Sequence, residues 1–253
     1  MRDIRSAALP DTRCSMAIIG TKLLQLHERI ARACAAAQRP VQSVTLLAVS
    51  KTFDALAVRC ALAAGEHRFG ENYVQEGVDK ITALADVRSQ IEWHLIGPLQ
   101  SNKTRVVAEQ FDWVHSVDRL KIAQRLSEQR PAHLAPLQVC LQVNISGEAS
   151  KSGLRPGEVA AVAHAVAALP RIALRGLMAI PEPAETIEAQ RAPHRALREL
   201  LNSLRPQGLA LDTLSIGMSA DLEAAIAEGA TLVRVGSAIF GTRSALNVAA
   251  PGS

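Results

Sequence analysis

Short apolar runs alternate with longer amphipathic stretches along most of this chain. From Ile18 to Ala37, apolar residues recur at three- and four-residue steps through Ile19, Leu23, Leu26, Ile30 and Ala33. That spacing predicts a helix, which Pro40 ends. Eight candidate strands follow: 44–50 (VTLLAVS), 67–70 (HRFG), 91–97 (IEWHLIG), 112–117 (DWVHSV), 137–145 (LQVCLQVNI), 173–180 (ALRGLMAI), 211–217 (LDTLSIG) and 231–236 (TLVRVG). Between them, amphipathic segments predict helices over 54–64, 73–85, 101–110, 118–129, 156–168, 185–205 and 219–228.

Strands that alternate with helices imply right-handed βαβ units and a parallel sheet. Eight such units predict an α/β fold, a single (β/α)8 TIM barrel with an extra N-terminal helix. A doubly wound open sheet is the runner-up, but the first strand is not followed by the G-x-G-x-x-G turn of dinucleotide-binding folds. No Gly/Ser/Pro tract divides the chain. One domain is expected over 16–245, between a flexible tail at 1–15 and a short tail at 246–253. Regular patterning starts at Met16, which makes that residue an alternative translation start.

Chemistry in such barrels gathers at the C-terminal ends of the strands. Strand 1 ends there in Ser50-Lys51, and strand 2 leads into GENYVQE (70–76). Strands 3 and 4 carry His94 and His115. Strand 5 delivers Asn144 and the loop 146–153. Strands 7 and 8 lead into SIGMSAD (215–221) and GSAIFG (236–241). Both of those last loops place Gly and Ser before a helical pattern, where free amides favour an anion such as phosphate. Ser219 is a candidate helix N-cap. Plain capped turns would look the same.

A lysine at a strand end is commonly a solvated charge. Inside a barrel mouth, desolvation and nearby cations instead free the amine as a nucleophile. An amine opposite a phosphate cradle describes two ligand classes, a phosphosugar aldehyde or pyridoxal 5′-phosphate (PLP).

Composition narrows the picture. In 253 residues, apolar types make up 48% and charged types 21%, enough for a large core. The formal charge of +4 suits an anionic small molecule, while no basic run interleaved with aromatics points to nucleic acid. Cys14, Cys34, Cys60 and Cys140 have no paired spacing and read as free thiols of a reducing, cytoplasmic compartment. No segment has the apolar length of a membrane span, and residues 1–15 lack the apolar core of a signal peptide.

The segments AVSKTFD, FGENYVQE, WHLIGPLQSNK, SVDR, VNISGEASKSGL, GLMAIP and LSIGMSADLEAAIAEGATLVRVGSAIFG occur in this order. In them the chain resembles the PLP homeostasis protein family, small single-domain proteins related to the barrel domain of alanine racemase. The resemblance covers roughly 16–243 and implies a PLP fold type III-like barrel. It makes Lys51 the residue that carries PLP as an internal aldimine. It also assigns Asn72 to the cofactor-lining wall, Arg234 to the pyridine nitrogen, and Ser219, Gly236, Ser237 and the Met218 backbone to the phosphate. Two departures are visible. Ile216 stands where the family often has Met, and Ser237 stands where Thr is common, with the hydroxyl retained.

An arginine donating to the pyridine nitrogen keeps that nitrogen unprotonated and weakens the ring as an electron sink. Two-base racemisation needs a second acid/base on the opposite face. Tyr73, the one tyrosine, is expected to pack at a helix start, and His94 and His115 to be hydrogen-bonded structural residues. Cys60 and Cys140 read as core, and no zinc site is expected. Lys103 and Lys151 read as solvated loop residues, with a second PLP or phosphate site as the alternative. The expected function is storage, buffering or delivery of PLP by a monomer with no catalytic residue, apo PLP-dependent enzymes being the recipients. A weak amino-acid racemase and a Schiff-base aldolase are the competing readings.

Overall fold

The computed structural model describes residues 12–147 and 152–241. Eight strands run β1 (Thr45–Val49), β2 (Arg68–Glu71), β3 (Glu92–Leu95), β4 (Trp113–Val117), β5 (Leu137–Gln142), β6 (Ile172–Met178), β7 (Thr213–Ser215) and β8 (Leu232–Val235). They pair in sequence order, and β1 closes the barrel by pairing in parallel with β8. The helices are α1 (Thr12–Ala36), α2 (Ala55–Ala63), α3 (Val74–Ala83), α4 (Thr104–Gln110), α5 (Leu120–Gln129), α6 (Val159–Ala167), α7 (Ile187–Leu204), α8 (Leu222–Ala227) and α9 (Ser237–Phe240). The expected eight-fold alternation is therefore present.

The strands read as continuous apolar runs because neither face meets water. In β1, Leu46 and Ala48 join the core between sheet and helices, whereas Leu47 and Val49 pack with Ile96 and Leu232 in the lumen. That split is the two-residue period of a strand. The lumen is not wholly apolar: His94, His115, Ser215 and Arg234 are all buried on β3, β4, β7 and β8.

The structured strands are shorter than their hydrophobic patterns. β7 keeps only Thr213–Ser215 of the seven-residue pattern, the three residues that pair with Gly176–Met178 of β6. α1 is longer than expected. It begins at Thr12, so its first turn occupies part of the stretch assigned to the tail. Ile19, Leu23, Leu26, Ile30 and Ala33 are its buried face, as the spacing predicts.

α9 is a single turn, and α1 packs against α2, α8 and α9. The first helix thus fills the gap in the outer ring that a longer last helix would occupy. Arg29 forms a two-point pair with Glu223 of α8, both contacts at 2.6 Å. Arg39 donates to the carbonyls of Ile226 (2.7 Å) and Ala230 (2.8 Å), closing the C-terminal end of α8. Cys34, Cys60 and Cys140 are buried and unbridged. Among the described residues, no helix is long and apolar enough to cross a membrane.

If α1 is part of the cooperative core, Ile30→Ala should cost about 2–5 kcal/mol, the usual range for truncating a buried isoleucine. Urea unfolding measures it; an unchanged midpoint would mean that α1 frays independently.

Candidate functional site

The β1 end is built as a rigid platform. The Ser50 amide donates to the Gly70 carbonyl (3.0 Å) and the Phe53 amide to the Ser50 carbonyl (3.1 Å), which makes 50–53 a tight turn. Within it Thr52 has φ +69°, a left-handed conformation that costs a β-branched residue about 1–2 kcal/mol. Its amide is held by the Glu76 carboxylate. The turn lifts Lys51 into solvent at the C-terminal mouth of the barrel, and Asp54 then caps α2 by accepting from the Ala57 amide (2.9 Å).

A buried ionic cluster fixes this turn from below. Lys80 of α3 donates to the Ser50 carbonyl (2.6 Å), to Glu71 (2.7 Å) and to Glu76 (2.7 Å). Ser50 Oγ donates to the same Glu71 oxygen. The other oxygen, Glu71 Oε2, is buried with no partner among the described residues. Burial pushes the Glu71 carboxyl above its ordinary range, against the opposing pull of Lys80.

Lys51, Gly236 and Ser237 line one cavity of about 370 Å³, with Val49, Thr52, Phe53, Tyr73 and Gly241. Gly236 permits the close approach of β8 to β1: a Cβ there would lie 2.8 Å from the Val49 carbonyl oxygen. Ser237 and Ala238 open the single turn of α9, so their amides have no helical partner. Asn72 lines an adjoining cavity of about 280 Å³ together with Gly97, Asn144 and Ile180. Gly97 is required there, since a Cβ would sit 2.0 Å from the Asn72 carbonyl oxygen.

One expectation for the β7–α8 loop needs correction. Ser219 is not the N-cap of α8: it lies in a turn, and Asp221 occupies the cap position. The Met218 amide, expected to help hold phosphate, donates to Asp221 Oδ1 (2.7 Å). The same Asp221 accepts a contact from His194 of α7 (Nε2 to Oδ2, 2.8 Å). Burial alone would raise Asp221; the His194 and Met218 bonds win and hold its carboxyl below the ordinary range. A local capping motif cannot reveal His194, which arrives from another helix.

Arg234 is buried in the lumen beneath this loop. Nη1 donates to the Ser215 carbonyl (2.6 Å) and hydroxyl (2.7 Å), and Nη2 to the Ala179 carbonyl (2.9 Å). Those bonds use three of the five guanidinium N–H groups. Burial lowers its pKa to about 10, partly offset by Asp221, so it stays charged at neutral pH.

Tyr73 holds the N-cap position of α3, yet it is 61% exposed and lines the Lys51 cavity rather than packing away. His94 and His115 are buried and bonded to each other, outside that cavity. Cys60 and Cys140 are core residues; burial pushes the Cys140 thiol up to about 12. Lys103 is exposed at the start of α4, away from the Lys51 cavity, and Lys151 lies outside the described residues. Pattern reading missed Glu71, Glu76, Lys80 and Ser215. The available signal for Ser215 was a polar residue inside a strand expected to be buried on both faces; Glu71 lay just past the expected end of its strand.

Residues 23–244 match the family model described as alanine racemase, N-terminal domain. The pyridoxal phosphate homeostasis protein of Pseudomonas aeruginosa is 60% identical over 228 residues, which cover 90% of this chain and 97% of that protein. The Escherichia coli K12 protein of the same name is 52% identical, covering 89% of this chain and 97% of that protein. Among solved structures, PipY of Synechococcus elongatus with PLP bound has a TM-score of 0.76 at 38% identity. The match covers 88% of this chain and all of that one. The curated relatives are named for homeostasis, not for a reaction.

Lys80→Met should cost about 3–5 kcal/mol in chemical denaturation, since it leaves Glu71 buried without its cation. A loss under about 1 kcal/mol would mean that Glu71 is already neutral. A second outcome concerns pH. His115 is held well below its ordinary value by burial, then by His94 and Arg234. The unfolded chain takes up that proton below about pH 6.5 while the folded one does not, so stability falls as pH falls. The fall in melting temperature from pH 6.5 to 5 should be shallower in His115→Asn than in the parent.

Proposed function

This chain belongs to the alanine racemase N-terminal domain family, in its pyridoxal phosphate homeostasis protein branch, and on that premise we propose that it binds PLP and serves its intracellular homeostasis by storage, buffering or delivery. The observation that carries the reading is Lys51, an exposed amine on a turn locked by the Glu71–Lys80–Glu76 cluster, sharing one cavity with Gly236 and Ser237.

The donor set fits the group. Lys51 Nζ would hold PLP covalently through its aldehyde, a linkage that water can reverse for release. Ser237, Ser219 and the amides opening α9 supply hydroxyl and N–H donors for the phosphate, near the close-packed Gly236. Asn72, which lines the cavity with Gly97 and Asn144, would contribute a polar group beside the ring. Arg234 retains Nε–H and one Nη2–H with no partner among the described residues, donors suited to an unprotonated pyridine nitrogen. The Met218 amide is bonded to Asp221 and would exchange that partner to serve the phosphate. Bound PLP supplies an electron sink, and a guanidinium at the ring nitrogen keeps that sink weak, which favours holding over turnover.

The buried, unbridged thiols support a cytoplasmic location. Apo PLP-dependent enzymes are the partners that delivery would serve, and the chain would act as a monomer.

The protein loaded with PLP should show a visible absorbance band that Lys51→Ala loses without change in far-UV circular dichroism. A variant that keeps the band would sink the assignment. Tyr73 in the same cavity makes a second measurement decisive. Deuterium exchange at the α-carbon of amino acids should not exceed that with free PLP. Excess exchange that disappears in both Lys51→Ala and Tyr73→Phe would establish an enzyme instead.

A further inference from the structure

One buried line of hydrogen bonds leads from Arg234 away from the mouth of the barrel. Arg234 Nη1 lies 2.7 Å from Ser215 Oγ, Ser215 Oγ 2.8 Å from His115 Nδ1, and His115 Nε2 2.9 Å from His94 Nδ1. His94 Nε2 then lies 2.9 Å from Glu92 Oε1. β4 and β7 are not neighbours in the barrel, so the His115–Ser215 bond crosses the lumen. The line begins beneath the C-terminal mouth. It ends at the first residue of β3, where Glu92 opens into a cleft of about 400 Å³ with Arg68, Arg175 and Asp212.

The donors and acceptors allow one polarity. Arginine only donates, so Ser215 Oγ accepts from Arg234. Its own proton then needs an acceptor, and His115 Nδ1 is the one in reach. His115 therefore carries its proton on Nε2 and donates to His94 Nδ1. His94 in turn carries its proton on Nε2 and donates to the Glu92 carboxylate. The reverse order would leave the Ser215 hydroxyl proton with no acceptor and set the His94 lone pair against a carboxylate.

Both rings must be neutral for this, and their surroundings keep them so. His94 stacks on Trp113 at 5.3 Å, with Glu92, Asp112 and Arg68 as its charged neighbours, and burial lowers its pKa. His115 faces His94, Trp113 and Arg234. Burial pushes Glu92 up, but the bond from His94 and the charge of Arg68 outweigh it and keep the carboxyl below its ordinary range.

We propose that Ser215, His115, His94 and Glu92 form a one-way hydrogen-bonded relay that anchors Arg234, making Glu92 at the opposite end of the barrel a positioning residue for the cofactor site. Each donated bond strengthens the next along such a chain. Ser215 Oγ is thereby a stronger acceptor for Nη1, which fixes the guanidinium and the aim of its two uncommitted N–H groups. The cofactor half of this inference rests on the PLP reading; the relay itself does not.

The test has two arms. In cofactor-free protein with ¹⁵N-labelled histidine, long-range nitrogen–proton NMR at pH 7 should show His94 and His115 as neutral Nε2–H tautomers. Glu92→Gln, a half-exposed and nearly isosteric change, can present either an oxygen or an amide to His94, and should give mixed tautomers at both rings. An Nδ1–H or a charged ring in the parent protein would overturn the relay, as would tautomers unchanged in the variant. In PLP-loaded protein, Glu92→Gln should keep the visible band and move the midpoint of its pH titration by about half a unit, a roughly threefold change in proton affinity. An unmoved midpoint would overturn remote positioning. A parent protein with no visible band would refute the PLP reading while the tautomers still decide the relay.

Discussion

A guanidinium buried in the lumen of a closed barrel is the constraint around which much of this structure is arranged. Removing an ion from water costs several kcal/mol, and the cost is met only when its donors are satisfied in place. Barrel interiors are ordinarily filled by layers of branched apolar side chains. Here Arg234 requires a carbonyl from β7, another from the segment after β6, and a hydroxyl. The hydroxyl of Ser215 then requires His115, His115 requires His94, and His94 requires Glu92. One buried charge thus goes with polar residues on three further strands, β7, β4 and β3.

The second buried charge, Lys80, acts on the other half of the mouth. It holds no ligand, but it ties the Ser50 carbonyl and two carboxylates into the support beneath Lys51. The two arrangements differ in kind. The Lys80 cluster pairs opposite charges within a few ångströms and serves rigidity. The Arg234 line keeps cation and anion far apart, with neutral groups between them. Together they allow an exposed amine and a buried guanidinium to be held at fixed positions without either being paired with an acid at the mouth itself.

The barrel was legible because its signals are local. Apolar runs separated by amphipathic stretches repeat eight times, and the buried face of α1 matches its three- and four-residue spacing residue by residue. Lys51 was legible as a charge ending a buried run. Strand ends were less so, since β7 stops opposite Met178, the last residue of β6, which no property of 211–217 encodes. Ser219 has the side chain of an N-cap and the wrong position: the cap is Asp221, held by His194 from 27 residues earlier in the chain, outside any local window. The lumen line was least legible. It depends on β4 facing β7 across the barrel, a relation fixed only when the sheet closes. The hint was a two-residue period of polar groups, Glu92 and His94 on one strand and His115 and Arg234 on others.

The outer ring is completed by the beginning of the chain, through α1 against α8 and through Arg29 and Arg39, each bonded to groups nearly two hundred residues further along. β1 makes the same demand by pairing with β8. Loop-closure entropy must therefore be met before either contact returns any free energy, which places this barrel among high-contact-order folds that mature slowly. During synthesis α1 meets α2 early, but its contacts with α8 and α9 wait until the last strand has left the ribosome. That interval leaves its apolar stripe only partly covered, and it is the stage at which chaperone capture or aggregation competes with folding.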